Sequence, residues 1–157
     1  MNKSLLRVDL SDEEHAAQVV RLLDAYMRDA MGLSAPMPVG LAPRIIAGLR
    51  QHSGYIGFFA LCDGQYAGLA NCNRNFSTFK ARPLLNIHDL IVLPEFRRQG
   101  VGRFLLDALS DFCRQNGYCR ISLEVRTDNS KAQALYRAAG FADSAAPALF
   151  WEKIIDC

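Results

Sequence analysis

No apolar run in the sequence approaches the length of a membrane span. The longest, such as YIGFFALC from Tyr55 to Cys62, fall far short of the roughly 20 residues that a bilayer-crossing helix needs. The opening stretch, MNKSLLRVDLSDEEH, mixes charges early where a secretory signal would carry an apolar core. A cytoplasmic location without membrane attachment is therefore expected. No sign of charge dominates either: 18 Lys+Arg stand against 16 Asp+Glu, for a formal net charge of +2. Strong positive charge interleaved with aromatics, the footprint of a nucleic-acid surface, is missing. The five cysteines (Cys62, Cys72, Cys113, Cys119, Cys157) form no C-x-x-C pair and leave an odd one over. That argues against both a zinc ribbon and a disulfide framework. They read as small buried apolar residues, with Cys157 the expected free thiol. His15, His52 and His88 show no metal-ligand spacing, so no metal is expected.

What is present suits one domain over residues 1–157, with half of the residues apolar and 22% charged. SLLRVDL reads as a first strand. Ser11 and the acidic residues after it mark a helix start, and Ala16, Val19, Val20, Leu22, Leu23, Tyr26 and Met27 keep helical spacing to about Ala30. The Pro- and Gly-rich stretch from Met31 to Pro43 breaks this helix, and RIIAGLRQH predicts a short second one. Two β-rich runs, Tyr55–Cys62 and Gln65–Asn75, meet at Asp63-Gly64, a hairpin dipeptide. Leu84–Leu93 is a third run, Val101–Asn116 a helix, RISLEVR a strand and NSKAQALYRAAG a helix. FADSAAPALFWEKII closes with β-type sequence on both sides of Pro147. The order predicts a mixed sheet with helices on both faces.

Between the third run and the following helix lies PEFRRQGVGRFLL, Pro94 to Leu106. A helix starting near Gly100 presents amides without intrahelical acceptors, which can receive phosphate oxygens. Glycine at 100 and 102 keeps side chains away from that backbone, and Arg97, Arg98 and Arg103 add positive charge. The spacing fits neither a P-loop nor a dinucleotide fingerprint. On its own the stretch reads more readily as a solvated turn than as an anion site.

IVLPEFRRQGVGRFLL closely resembles the coenzyme A signature of the GNAT superfamily of N-acetyltransferases, here Arg97-Arg98-Gln99-Gly100-Val101-Gly102. A second block, NSKAQALYRAAGF, matches the same superfamily at Asn129, Ala132, Leu135, Tyr136, Gly140 and Phe141. The resemblance implies the GNAT fold, an α/β (α+β) arrangement with a mixed, mostly antiparallel sheet of about six or seven strands. It further implies that the sheet splays at an acetyl-CoA cleft. The cofactor arm would pair with the backbone of Leu90, Ile91 and Val92, and its pyrophosphate would sit on the amides from Arg98 to Arg103. Asn129 would hold the arm and Tyr136 would protonate the leaving thiolate. By the residues alone, Asn129 is also a helix cap and Tyr136 a core tyrosine.

The implied activity is acetyl transfer from acetyl-CoA to a primary amine, of a small molecule or of a peptide, by direct attack in a ternary complex. An alkylamine has a solution pKa near 10.4, so its proton must go to a base. His88, Asp89 and Glu124 are the candidates. Neighbours on a strand face opposite ways unless a bulge intervenes, so at most one of His88 and Asp89 points into the cleft. Glu124 is also read as a contact for the substrate ammonium, and Phe76 and Phe79 as part of the acceptor wall. The segment Ser77-Thr78-Phe79-Lys80-Ala81-Arg82 is similar to the diamine and thialysine N-acetyltransferase branch, with His88 standing where that branch typically has glutamate. The reading from another class is a CoA-binding regulatory module without catalysis. The terminal segment around ALFWEKII suits either a homodimer contact or a core hairpin.

Overall fold

The computed structural model describes residues 1–144, 146 and 148–155. The chain begins with strand β1 (Lys3–Arg7), followed by helices α1 (Glu13–Arg28) and α2 (Leu41–Gln51). The antiparallel strands β2 (Tyr55–Cys62), β3 (Gln65–Ser77) and β4 (Arg82–Val92) come next. A 3-10 turn at Pro94–Phe96 leads into α3 (Val101–Gln115), and β5 (Ile121–Leu123) and α4 (Ser130–Ala138) complete the regular structure. The spatial order is β1-β2-β3-β4-β5, antiparallel throughout except for the parallel β4–β5 pair.

Local chemistry accounts for most boundaries. α1 is capped by Asp12, whose carboxylate accepts from the Glu14 and His15 amides, so the cap is one residue beyond Ser11. Asp63 and Gly64 turn the β2–β3 hairpin with φ of 47° and 81°, the left-handed pair that a two-residue hairpin loop demands.

The sheet separates two apolar layers. Phe58, Ala60, Ala70, Cys72, Leu85 and Ile87 face α3, which answers with Val101, Leu105, Leu106 and Leu109. Phe59, Leu69, Ile91 and Leu93 face α1, which supplies Val19, Leu22 and Leu23. Helices on both faces agree with the sequence; the strand number does not. The described sheet has five strands, not six or seven. No strand occurs among the described residues of 141–155, where Leu149, Phe150, Trp151 and Ile154 are exposed. β propensity expresses how a side chain fits a half-buried pleated surface, and without a neighbouring strand it does not fix the backbone. Pro147 and Cys157 lie outside the described residues. Of the remaining cysteines, Cys62, Cys72 and Cys113 are buried and Cys119 is half-buried, all as free thiols.

Candidate active site

The site is built around the end of β4. Its rungs with β5 are only Leu85↔Ile121, Asn86↔Ser122 and Ile87↔Leu123. β4 then runs on from His88 to Val92 while the chain leaves β5 after Leu123. The β5-facing edge of Leu90, Ile91 and Val92 has no strand against it among the described residues. Backbone polar groups along such an edge call for a hydrogen-bonding partner.

A bulge decides which side chains enter this cleft. On β4, Asp89 pairs with Asn71 and Ile87 with Cys72, so His88 is the extra residue. Before the bulge the odd-numbered Leu85 and Ile87 face α3; after it the even-numbered Leu90 and Val92 do. Asp89 and Ile91 are thereby turned to the α1 side. Without the extra residue, the Asp89 carboxylate would point into the α3 core. Asp89 is half-buried and His88 is exposed. Asp89 accepts a 3.0 Å hydrogen bond from Asn71 Nδ2 on its Oδ2, and Asn71 Oδ1 accepts from the Tyr55 hydroxyl at 2.8 Å. Burial, with the Cys72 thiol and the Asp89 carboxylate, pushes the Tyr55 phenol well above its ordinary range.

Tyr136 stands half-buried on α4, its ring 6.0 Å from that of Phe141. Burial, then the neighbouring Tyr26, raises its phenol pKa, so the O–H is retained across the neutral range. Tyr26 is itself raised by burial and by the Asp89 and Asp29 carboxylates, against a smaller opposing effect of Arg126. The end of α1 therefore brings a phenol into the electrostatic reach of both Asp89 and Tyr136. Sequence periodicity reads Tyr26 only as an apolar helix position, and Asn71 and Tyr55 only as strand residues. Their shared role depends on strand register, which no local pattern encodes.

α4 is held in place from three sides. Asn129 Oδ1 caps it by accepting from the Ala132 amide at 3.1 Å, leaving its Nδ2 without a partner among the described residues. Gln133 Nε2 donates to the Arg126 and Thr127 carbonyls at 2.9 and 3.0 Å. Arg103 Nη1 donates to Ala138 O at 2.9 Å, and its Nε reaches Asp107. The Arg103 side chain thus ties α3 to α4, and what it offers a ligand is its backbone amide.

The loop before α3 has the features of an anion cradle. α3 has no side-chain cap, and the first amide to reach back is that of Phe104, to Gly100 O at 3.0 Å. The Val101, Gly102 and Arg103 amides precede it and face outward. Gly100 adopts φ 77°, where its own Cβ would meet open space beyond Lys3 Nζ at 3.6 Å, so the backbone turn is what requires glycine. Gly102 is required for a different reason. A Cβ there would lie 2.9 Å from Leu135 Cδ2 and 3.7 Å from Val92 Cγ2, in the wedge where α3, α4 and the end of β4 converge. Arg97 is engaged within the protein, its Nε on Val92 O at 3.0 Å and its Nη2 on Asp29 at 2.8 Å. The Gln99 side chain donates to Glu95 O at 2.7 Å. Arg98, at φ 60°, is exposed and without a side-chain partner among the described residues. An open strand edge leading to uncapped helix amides fits an extended ligand ending in a diphosphate.

Other sequence candidates separate: Glu124 lies where the chain parts from β4, and the two phenylalanines lie apart from it. Glu124 is exposed just past β5. Phe76 and Phe79 are exposed at the β3–β4 hairpin tip. Phe76 pairs with Pro83, six residues and therefore about 20 Å along β4 from Asp89, so the chain does not bring these rings to the cleft.

Comparison with known proteins bears on the same segments. An uncharacterised N-acetyltransferase of Bacillus subtilis is 32% identical over 79 residues, 50% of this chain and 53% of that protein. An N-alpha-acetyltransferase of Mycobacterium tuberculosis is 39% identical over 90 residues, 57% of this chain and 52% of that protein. The chain spans about half the length of these curated relatives. An aminoglycoside N-acetyltransferase solved in complex with CoA superimposes with a TM-score of 0.73 at 18% identity, over 97% of this chain and 95% of the other, which establishes the shared fold. The model of the Acetyltransferase (GNAT) family matches residues 18–141, taking in the bulged β4, the glycine cradle and the tyrosine helix described above. The chain belongs to the GNAT family of acetyltransferases.

Proposed function

We propose that this protein is an acetyl-CoA-dependent N-acetyltransferase acting on a primary amine, by direct attack of the amine within a ternary complex. The observation that carries the proposal is the β4 bulge, which turns the Asp89 carboxylate to the α1 side beside an open strand edge, with the Tyr26 phenol in electrostatic reach of both Asp89 and Tyr136. Family membership and the CoA complex of a protein of the same fold support the cofactor.

Acetyl-CoA supplies an acyl thioester, and the residues of this chain do the rest. The Leu90 amide and carbonyl and the Val92 amide, which point away from β3, align the donor arm, while the polar groups of Ile91 pair with Leu69 on β3. One of the two outward amides donates to the thioester carbonyl as negative charge grows on its oxygen. The amides of Val101, Gly102 and Arg103, with Arg98, hold the diphosphate. Asn129 Nδ2 adds a donor at the mouth. Asp89 accepts a proton from the incoming ammonium, directly or through one water, so that the neutral nitrogen can form the new N–C bond. As the C–S bond breaks, Tyr136 gives its proton to the leaving sulfur, and the second proton lost by the acylated nitrogen returns to the Tyr136 phenolate, directly or through water. Asp89 is the better-placed base than the exposed His88. A single half-buried carboxylate suits one ammonium group better than a doubly charged diamine.

The acceptor is a small molecule, as for the aminoglycoside enzyme of the same fold, or an α-amine, as for the mycobacterial N-alpha-acetyltransferase. A thiol-release assay with acetyl-CoA across aminoglycosides, amino acids, lysine analogues, polyamines and peptides tests the proposal. Release with at least one primary amine, and none with its N-methylated tertiary analogue, is expected. Tight CoA binding with no release on any amine would overturn it in favour of a CoA-binding module.

A further inference from the structure

The only buried polar side chain among the described residues outside the cysteines is Asn71, at 6% exposure in the middle of β3. Burying a carboxamide is costly unless both of its ends are satisfied, and an apolar residue would fill the same place without that cost. Both ends are satisfied here, and in one orientation. The Tyr55 hydroxyl donates to Oδ1 at 2.8 Å, and Nδ2 donates to Asp89 Oδ2 at 3.0 Å. A flipped amide would put its oxygen against the carboxylate. The carboxylate therefore fixes which end of the amide faces it, and the phenol, which can donate or accept, anchors the other end.

The sheet is arranged to allow this row. Gly57, Asn71 and Asp89 lie opposite one another across β2, β3 and β4. Tyr55, two residues before Gly57 on the same face, reaches Asn71 only by leaning over Gly57. A Cβ at 57 would collide with the Tyr55 hydroxyl and come within 2.7 Å of Val8 Cγ2. The absent side chain at 57, the bulge at His88 and the amide at 71 all serve the placement of one carboxylate.

We propose that Asn71 is a positioning residue for Asp89, anchored by the Tyr55 hydroxyl. By engaging Oδ2, it leaves Oδ1, which has no other partner among the described residues, turned to the acceptor amine. This inference rests on Asp89 serving the acceptor in the proposed acetyl transfer, and its test contains an arm that does not.

The first arm is NMR of the Asn71 side-chain amide, in protein without acceptor. Its two proton resonances shift on Asp89→Ala and also on Tyr55→Phe; resonances unmoved by either substitution overturn the hydrogen-bonded row, whatever the protein catalyses. The second arm is kinetic. Asn71→Leu lowers kcat about tenfold, the scale of a lost hydrogen bond to a charged group, with the KM for acetyl-CoA unchanged. Tyr55→Phe lowers it less, and adds nothing in the Asn71→Leu background. In an Asp89→Ala background, Asn71→Leu costs less than about twofold, because residues acting through one another are not additive. If Asn71→Leu fails to fold, the Tyr55→Phe and Asp89→Ala pair carries the same cycle. Additive losses mark Asn71 as a purely structural residue and overturn the proposal. A shifted amide in a protein that acetylates no amine overturns the acetyltransferase reading, and the positioning role with it.

Discussion

Gly102→Val places two methyl groups where the structure leaves no room for them. Even the Cβ would stand 2.9 Å from Leu135 Cδ2 and 3.7 Å from Val92 Cγ2. The first neighbour is the far end of a flexible side chain, so Leu135 can move. Overpacking of this kind costs about 1–3 kcal/mol, which for a chain of this size lowers Tm by about 2–4 °C for each kcal/mol. The fold survives, but Leu135 and the start of α3 are pushed apart, and the Val101, Gly102 and Arg103 amides shift with them. If the substitution denies the diphosphate one charge-assisted amide contact, worth about 1.5–3 kcal/mol, the Kd for CoA rises about ten- to a hundredfold. Gly100→Ala should behave differently. Its Cβ points to open space and its penalty is the left-handed backbone, about 1–2 kcal/mol, felt first as lost stability. Calorimetric titration with CoA and thermal unfolding of both variants separate the two effects. Wild-type CoA affinity in Gly102→Val would refute the assignment of the first α3 amides as the diphosphate site.

Because burial beside Tyr26 raises the Tyr136 phenol, the acid it provides remains protonated beyond the ordinary tyrosine range. The kcat profile should therefore show no alkaline fall below about pH 10, and a fall near pH 8 would remove Tyr136 from the role. The Asp29 carboxyl is held below the usual carboxylate range by the Met31 amide and, against burial, by Arg97. Its lowered folded pKa means that the stability it contributes is present above the unfolded value near 3.9 and is lost as pH falls through the folded one. Asp29→Asn should cost less than about 1 kcal/mol at pH 7, as a half-exposed pair does, and less at pH 2. Urea unfolding at the two pH values checks this, and an equal deficit at both would contradict it. Burial pushes the Cys113 thiol up to about 11, and raises Cys62 and Cys72 as well. A thiol reagent should modify Cys119 of the native protein long before these three, as mass spectrometry of the labelled peptides would show. Rapid labelling of Cys72 would mean the β3 core is open.

The readable parts of the sequence were those whose structure is decided locally. Asp63-Gly64 needs left-handed backbone and obtains it, and the α3 spacing from Val101 to Leu109 buries one stripe. Gly100 was legible as a helix start because its conformation excludes most other residues. Gly102 was legible only as part of a motif: its reason, the approach of Leu135, lies 33 positions away in the chain. The choice between His88 and Asp89 could not be made from the sequence, because it depends on one extra residue in the pairing of β4 with β3. No residue at 88 announces that bulge. The same is true of Asn71, which in isolation is an unfavourable residue for a central strand and becomes explicable only through Tyr55 and Asp89. At the C-terminal end, the β-type residues Leu149, Phe150 and Trp151 were read as strand, yet propensity without a pairing edge leaves them exposed and irregular.

The central claim is that Asp89 and Tyr136 serve the two proton transfers of one acetyl transfer. Its most direct measurement is thiol release from acetyl-CoA by wild type, Asp89→Ala and Tyr136→Phe with the best amine acceptor, alongside the CoA Kd of each. The account predicts that both variants lose turnover by at least about a hundredfold, the lower range for general acid–base groups, while their CoA affinities stay within about threefold of wild type. Turnover retained in either variant, or lost only in step with CoA affinity, would contradict it.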